Sequence, residues 1–239
     1  MIELQSVSKN FGSVQAVNEL TLKVPEGELF CFLGPNGAGK TTTIKMLCGL
    51  LRPSSGTIRV AGMDIRTRAV DARRITGYIP DFPFMYDRLT ATEFFEFTGD
   101  LYNVPREQVA EEVKESFQLF GLTEYRHTLV KDLSHGLRQR LIYTVTLLHR
   151  PRVLFVDEPF IGLDPHSIRL IKQVLRQKAR EGVTIFLTTH ILALIEDLAD
   201  RVGIIMNGKL IASGSIDELM EQASLKGGRL EDIFFSLTM

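Results

Sequence analysis

Apolar and polar positions alternate in blocks along this chain, and the blocks predict its elements. Residues 2–7 and 20–33 are rich in β-branched and aromatic side chains and predict strands, with a turn at Pro25-Glu26-Gly27. GPNGAGKTT at 34–42 interrupts the apolar run, and a helical stretch follows to about Leu50. Pro53-Ser54-Ser55-Gly56 predicts a turn, TIRVAG a short strand, and ITGYIP at 75–80 another. From about 90 to 149 the period becomes helical. Thr92 is placed to cap a run from Glu93, and Pro105 suits the first turn of PREQVAEEVKESFQLF, where Val109, Val113 and Phe117 recur at four-residue spacing. Another helix is expected from near Ser134.

Alternation then resumes. VLFVDE at 153–158 is apolar enough for a parallel strand buried on both faces, 165–181 is helical, VTIFLTT at 183–189 is a strand, and 191–200 predicts a helix. Asn207-Gly208 between apolar runs predicts a hairpin, and 215–237 predicts two short helices. Strand and helix in alternation argue for an α/β domain with a mainly parallel sheet, interrupted by an all-helical block.

Gly34-Pro35-Asn36-Gly37-Ala38-Gly39-Lys40-Thr41 matches the phosphate-loop pattern at every fixed position, after an apolar strand and before a helix. Its glycines let backbone N–H groups curl around phosphate oxygens, and the helix that follows presents its positive end to the same anions. Lys40 is expected to reach the β- and γ-phosphates and the Thr41 hydroxyl to ligate Mg²⁺. Asp157 and Glu158 close a buried strand and so arrive at the carboxyl edge of the sheet, where open α/β sheets bind ligands. Asp157 suits the metal, and Glu158 suits a general base for an attacking water. Taken alone, such a pair is as well explained by favourable charge at a helix N-terminus; beside a phosphate loop the catalytic reading prevails.

Composition narrows the setting. The 239 residues suit one large domain, 44% of them are apolar and 24% charged, and the net charge of −1 gives no global attraction to nucleic acid. No apolar run approaches a membrane span, and the opening MIELQSVSKN lacks the basic and apolar regions of a signal peptide, which predicts a cytosolic chain. Cys31 and Cys48 both lie in apolar runs and read as small buried hydrophobes; the five histidines show no zinc-ligand spacing.

Together with LSHGLRQR at 133–140, these residues resemble the ATP-binding subunit of an ABC transporter, over essentially the whole chain. The interval from Lys40 to Asp157, longer than in small GTPases or nucleotide kinases, agrees. The resemblance implies a P-loop NTPase core with an N-terminal antiparallel β sub-domain, a helical sub-domain inserted at about 82–150, and short C-terminal helices at about 215–237. It further implies that Phe11 stacks on adenine, that Gly34 to Thr42 hold the triphosphate of ATP, and that Thr41 and Asp157 hold Mg²⁺. Ser134 and Gly136 would belong to a signature motif that caps the γ-phosphate bound by a second ATP-binding subunit, identical or paralogous. Asp164 would cross that interface, and His190 would contact the γ-phosphate. Three positions in two motifs depart from the family: Asp81 stands where glutamine is usual, still offering a metal an oxygen, and His135 and Leu137 replace glycine and glutamine in the signature. Phe82, Phe84, Met85 and Tyr86 fall where a helix of a separate transmembrane permease docks. The tail LEDIFFSLT is similar to those of multidrug, antibiotic and lipid or polysaccharide exporters. An exporter's ATPase at the cytoplasmic face of the membrane, with no nucleic-acid partner, is therefore the expectation; a soluble ATPase or a weakly hydrolysing regulator is the alternative.

Overall fold

Strands β1 (Ile2–Phe11) and β2 (Val14–Val24) pair antiparallel across a two-residue turn in which Gly12 has φ 58°. The computed structural model describes residues 1–223 and 228–238. Both strands run further toward the turn than the apolar pattern suggests, because residues 8–19 form a largely exposed end whose polar side chains hide the alternation. The chain then passes through β3 (Leu29–Leu33), α1 (Lys40–Leu47), β4 (Ser55–Val60), β5 (Met63–Asp64), α2 (Ala69–Arg74) and β6 (Thr76–Ile79). Helices α3 (Ala91–Leu101), α4 (Arg106–Leu119) and α5 (His135–Leu147) follow. The last part comprises β7 (Val153–Asp157), α6 (Pro165–Arg180), β8 (Thr184–Thr189), β9 (Arg201–Met206), β10 (Lys209–Gly214), α7 (Ile216–Gln222) and α8 (Leu230–Thr238).

These strands form two sheets. The smaller is antiparallel, in the order β2-β1-β4-β5; the larger runs β10-β9-β3-β8-β7-β6, parallel except for β10 at one edge. The larger sheet is buried on both faces, as its apolar strands require. From β3, Leu29, Cys31 and Leu33 join the core beneath α5 and α6, while Phe30 and Phe32 turn to the opposite core with α1 and the smaller sheet. On that second face Phe30 and Phe186 stack at 5.5 Å and Phe32 and Phe186 meet at 5.4 Å. Cys31 and Cys48 are free and buried.

Two local expectations are corrected. The cap of α3 is Thr90, not Thr92: Thr90 has an extended backbone, its hydroxyl accepts from the Glu93 amide, and the Glu93 carboxylate accepts from the Thr90 amide. Thr92 lies inside the helix and donates to the Arg126 carbonyl at 3.0 Å. The helix expected over 191–200 is a short 3₁₀ turn, Leu192–Leu194, followed by irregular turns. One local and three long-range interactions break it up. The Thr189 hydroxyl accepts from the Ile191 amide, Glu196 from the Leu230 amide, and Asp200 from the Leu29 amide, while Asp197 pairs with Lys172.

Candidate active site

Strand register assembles the site. Leu33 at the end of β3 pairs with Thr189 on β8, and Thr188 pairs with Asp157 on β7, so three adjacent parallel strands deliver their carboxyl ends to one edge. The loop 34–39 leaves that edge and enters α1. Gly34 is required by packing: a Cβ there would lie 2.3 Å from the Ile205 carbonyl oxygen. Gly39 is required by both conformation and space, with φ 106° and a Cβ 2.5 Å from the Ala16 carbonyl oxygen. The loop's far wall is the β9–β10 hairpin, whose Gly208 amide donates to the Ala38 carbonyl at 3.0 Å.

The amides of Asn36, Gly37, Gly39, Lys40, Thr41 and Thr42 donate to no acceptor among the described residues. Pro35, Asn36 and Gly37 are exposed, whereas Ala38, Gly39 and Lys40 are buried. A run of free amides at the start of a helix is an anion cradle. Inside it, the Lys40 ammonium donates to the Gly34 and Pro35 carbonyls at 2.7 and 3.2 Å and lies 3.2 Å from Glu158 Oε1. Both partners of that ion pair are less than a tenth exposed.

Glu158 is held from several sides. Its backbone is left-handed, φ 47°, a costly conformation for a side chain larger than glycine. Its amide donates to the Thr188 carbonyl at 3.0 Å, and its Oε2 accepts from the His190 amide at 3.3 Å and lies 3.0 Å from His190 Nδ1. Asp157 accepts from the hydroxyls of Thr188 and Thr41 at 2.5 and 3.4 Å. Burial pushes the Asp157 carboxyl up from the ordinary carboxylate range; the two hydroxyls pull it back, and Glu158 and Asp81 add to the upward push. Thr41 and Asp157 thus present two hard oxygens beside the cradle, a donor set that fits Mg²⁺, which binds through few protein groups and its substrate's phosphates.

Asp81 is exposed just beyond β6 and hydrogen-bonds to neither Thr41 nor Asp157. Partial burial raises its carboxyl, Glu158 raises it further, and His135 and His190 lower it. Phe11 lies at the tip of the β1–β2 hairpin, half exposed, with the Lys9 ammonium 5.0 Å from its ring centre.

Ser134, Gly136 and Asp164 come together elsewhere. Ser134 caps α5, its hydroxyl accepting from the Leu137 amide at 3.3 Å; Asp164 caps α6, accepting from the His166 and Ser167 amides, each at 3.0 Å. The Ser167 hydroxyl donates to Asp164 at 2.5 Å, and this bond, with the amides, holds the Asp164 carboxyl down to about 2. None of the three hydrogen-bonds to residues 34–42 among the described residues. Sequence reasoning missed Thr188, which links β8 to both acids. Its signal was the pair Thr188-Thr189 at the end of an otherwise apolar strand, directly before His190.

An open parallel sheet, a glycine-bounded loop of free amides with a buried lysine, and two acids on the neighbouring strand edge define a P-loop nucleoside triphosphatase. Residues 17–161 match the ABC transporter family. The chain is 37% identical over 224 residues to the probable multidrug ABC transporter ATP-binding protein YbhF of Escherichia coli, covering 94% of this chain and 39% of YbhF. It therefore spans well under two thirds of that relative. It is 38% identical over 223 residues to the bacitracin transport ATP-binding protein BcrA of Bacillus licheniformis, covering 93% of this chain and 72% of BcrA. A solved structure of an ATP-binding subunit of an ABC transporter is similar at a TM-score of 0.95 and 30% identity over 100% of each chain. The chain belongs to the ABC transporter family, among its ATP-binding proteins. Among the described residues no helix is long and apolar enough to cross a membrane.

Proposed function

We propose that this chain hydrolyses ATP to drive an exporter, working at the cytoplasmic face of the membrane beside a separate permease and closing on a second ATP-binding subunit. The carrying observation is the arrangement of Lys40, Glu158 and His190 at one sheet edge beside free amides. Lys40 is engaged by two carbonyls and Glu158. Phosphate oxygens offer the ammonium a stronger partner and take the loop's amides as donors. Lys40 then turns to the β- and γ-phosphates, and Glu158 Oε1 is released. His190 keeps hold of Oε2, so the freed oxygen faces the γ-phosphate, orients a water and accepts its proton. Mg²⁺ held by Thr41 and Asp157 would neutralise charge on the phosphates; Asp81 offers one more oxygen nearby.

Gly136 supports the second subunit. An added Cβ there would meet only Asp164 and Ser167, each at 3.8 Å, an ordinary contact. Nothing among the described residues demands a glycine there, which leaves the bare backbone beside the Ser134 hydroxyl for a ligand from outside, the partner's γ-phosphate. Phe11 is free to stack on adenine. The permease reading rests on Phe82 and Phe84, almost fully exposed, and on Tyr86, which packs on Phe97 at 5.1 Å, while Met85 is buried beneath. Export rests on relatives named for multidrug and bacitracin transport and on the tail.

Lys40→Ala tests the catalytic part. Steady-state ATP turnover should fall at least about a hundredfold, since a preorganised charge at such a site contributes roughly 3–4 kcal/mol; near-normal turnover removes the assignment. Extraction of membranes in mild detergent tests the rest: a polytopic protein should accompany the chain, and its absence favours the soluble ATPase.

A further inference from the structure

The turn that opens α5 and the turn that opens α6 are tied at two levels. Deeper in, Arg140 donates to the Ser167 hydroxyl at 2.8 Å, Ser167 donates to Asp164, and the Arg140 guanidinium lies 4.0 Å from the Asp164 carboxylate. At the surface, His135 Nε2 lies 3.3 Å from the Ile161 carbonyl oxygen. A carbonyl only accepts, so Nε2 carries the proton and donates, which both the neutral ring in that tautomer and the charged ring can do. Gly162 completes the contact: it has φ 70°, and a Cβ on it would lie 3.4 Å from both Cδ2 and Nε2 of His135. The imidazole thus lies against a bare glycine and bonds to the carbonyl before it.

We propose that His135 is a positioning residue that fastens the loop at Ile161-Gly162 to the start of α5, so that Ser134, Gly136 and Asp164 meet the second subunit's nucleotide as one surface. The inference rests on the reading that this surface acts across the subunit interface. Without the fastening, the deeper Arg140–Ser167–Asp164 chain still anchors α6, but the exposed loop before it is free to move independently of Ser134.

The test uses the intact chain with His135→Ala, His135→Gln, Gly162→Ala and Ser134→Ala. ADP affinity by calorimetry reads the chain's own site, and kcat and the steepness of the ATP dependence read closure on the second subunit. His135→Ala should leave ADP affinity within about twofold while kcat falls roughly fivefold, the scale of one net hydrogen bond. His135→Gln, whose amide can donate to Ile161, should recover most of that loss. Gly162→Ala, which strains a backbone at φ 70° and sets a methyl 3.4 Å from the ring, should shift the loop and reproduce the His135→Ala defect, and it carries the test if His135→Ala does not fold. Unchanged kcat in His135→Ala with a clear loss in Ser134→Ala overturns the positioning role alone. No recovery in His135→Gln also overturns it. Unchanged kcat in both His135→Ala and Ser134→Ala instead overturns the interface reading underneath.

Discussion

At Gly39, φ of 106° and a carbonyl oxygen 2.5 Å from where a Cβ would stand leave no room for a side chain. Gly39→Ala should cost on the order of 3 kcal/mol and distort the loop, lowering the melting temperature and abolishing nucleotide binding together. Differential scanning calorimetry with and without ADP reads both effects; a normally stable, ADP-binding variant contradicts the packing. Lys40 and Glu158 make an opposite prediction. Both are buried, so Glu158→Gln leaves an ammonium without its counter-charge, and the nucleotide-free protein should lose about 3 kcal/mol by denaturant unfolding. ADP supplies the missing negative charge and should bind more tightly to Glu158→Gln than to the native chain. Weaker ADP binding by that variant would mean that the ion pair does not compete with phosphate. The sequence made the loop residues legible because the pattern is contiguous. It could not make the Lys40–Glu158 pair legible, because that contact depends on β3 and β7 lying either side of β8.

The elements were legible where burial is regular and obscure where side chains serve distant partners. β3, β7 and β8 are buried along their whole length and read directly as apolar runs, and the helices expected from near Ser134 and over 165–181 correspond to α5 and α6. The 191–200 stretch has helical composition, yet its acids are committed to Leu29, Lys172 and Leu230, and no local pattern carries that information. The short α2 and the two-residue β5 were likewise invisible, being too short for a period. The junction of α5 with β6 has its own pH signature. His149, just beyond α5, stacks on Tyr102 at 3.8 Å and bonds the Thr76 carbonyl through Nε2 at 3.1 Å, while its buried Nδ1 has no partner among the described residues. Burial therefore pulls its pKa below the ordinary 6.5, the bond to Thr76 opposing. The unfolded chain then binds the proton more readily than the folded one, so stability should decline as pH falls below about 6.5. The decline levels off once pH passes the lower folded value. His149→Phe should flatten that part of a pH series of unfolding midpoints; an unaltered slope would place the titration elsewhere.

Across the whole molecule, the two sheets and the helices between β6 and β7 bring the phosphate loop, the acids and His190 to one edge, and leave Ser134, Gly136 and Asp164 in a separate group. Fold class and family were legible from the order of motifs along the chain, because each motif ends a strand or starts a helix and so reports topology. The division of the site into two groups was legible only through the family resemblance, since no spacing reveals which elements face another chain. On the proposed reading, the free amides, the Lys40–Glu158 interlock and the bare backbone at Gly136 would make half of a nucleotide site and the complement of another half. Sedimentation of Glu158→Gln with ATP and magnesium, followed by analysis of the bound nucleotide, tests this most directly. The account predicts a particle of twice the chain mass that retains unhydrolysed ATP; a monomer that turns ATP over at the native rate would contradict it.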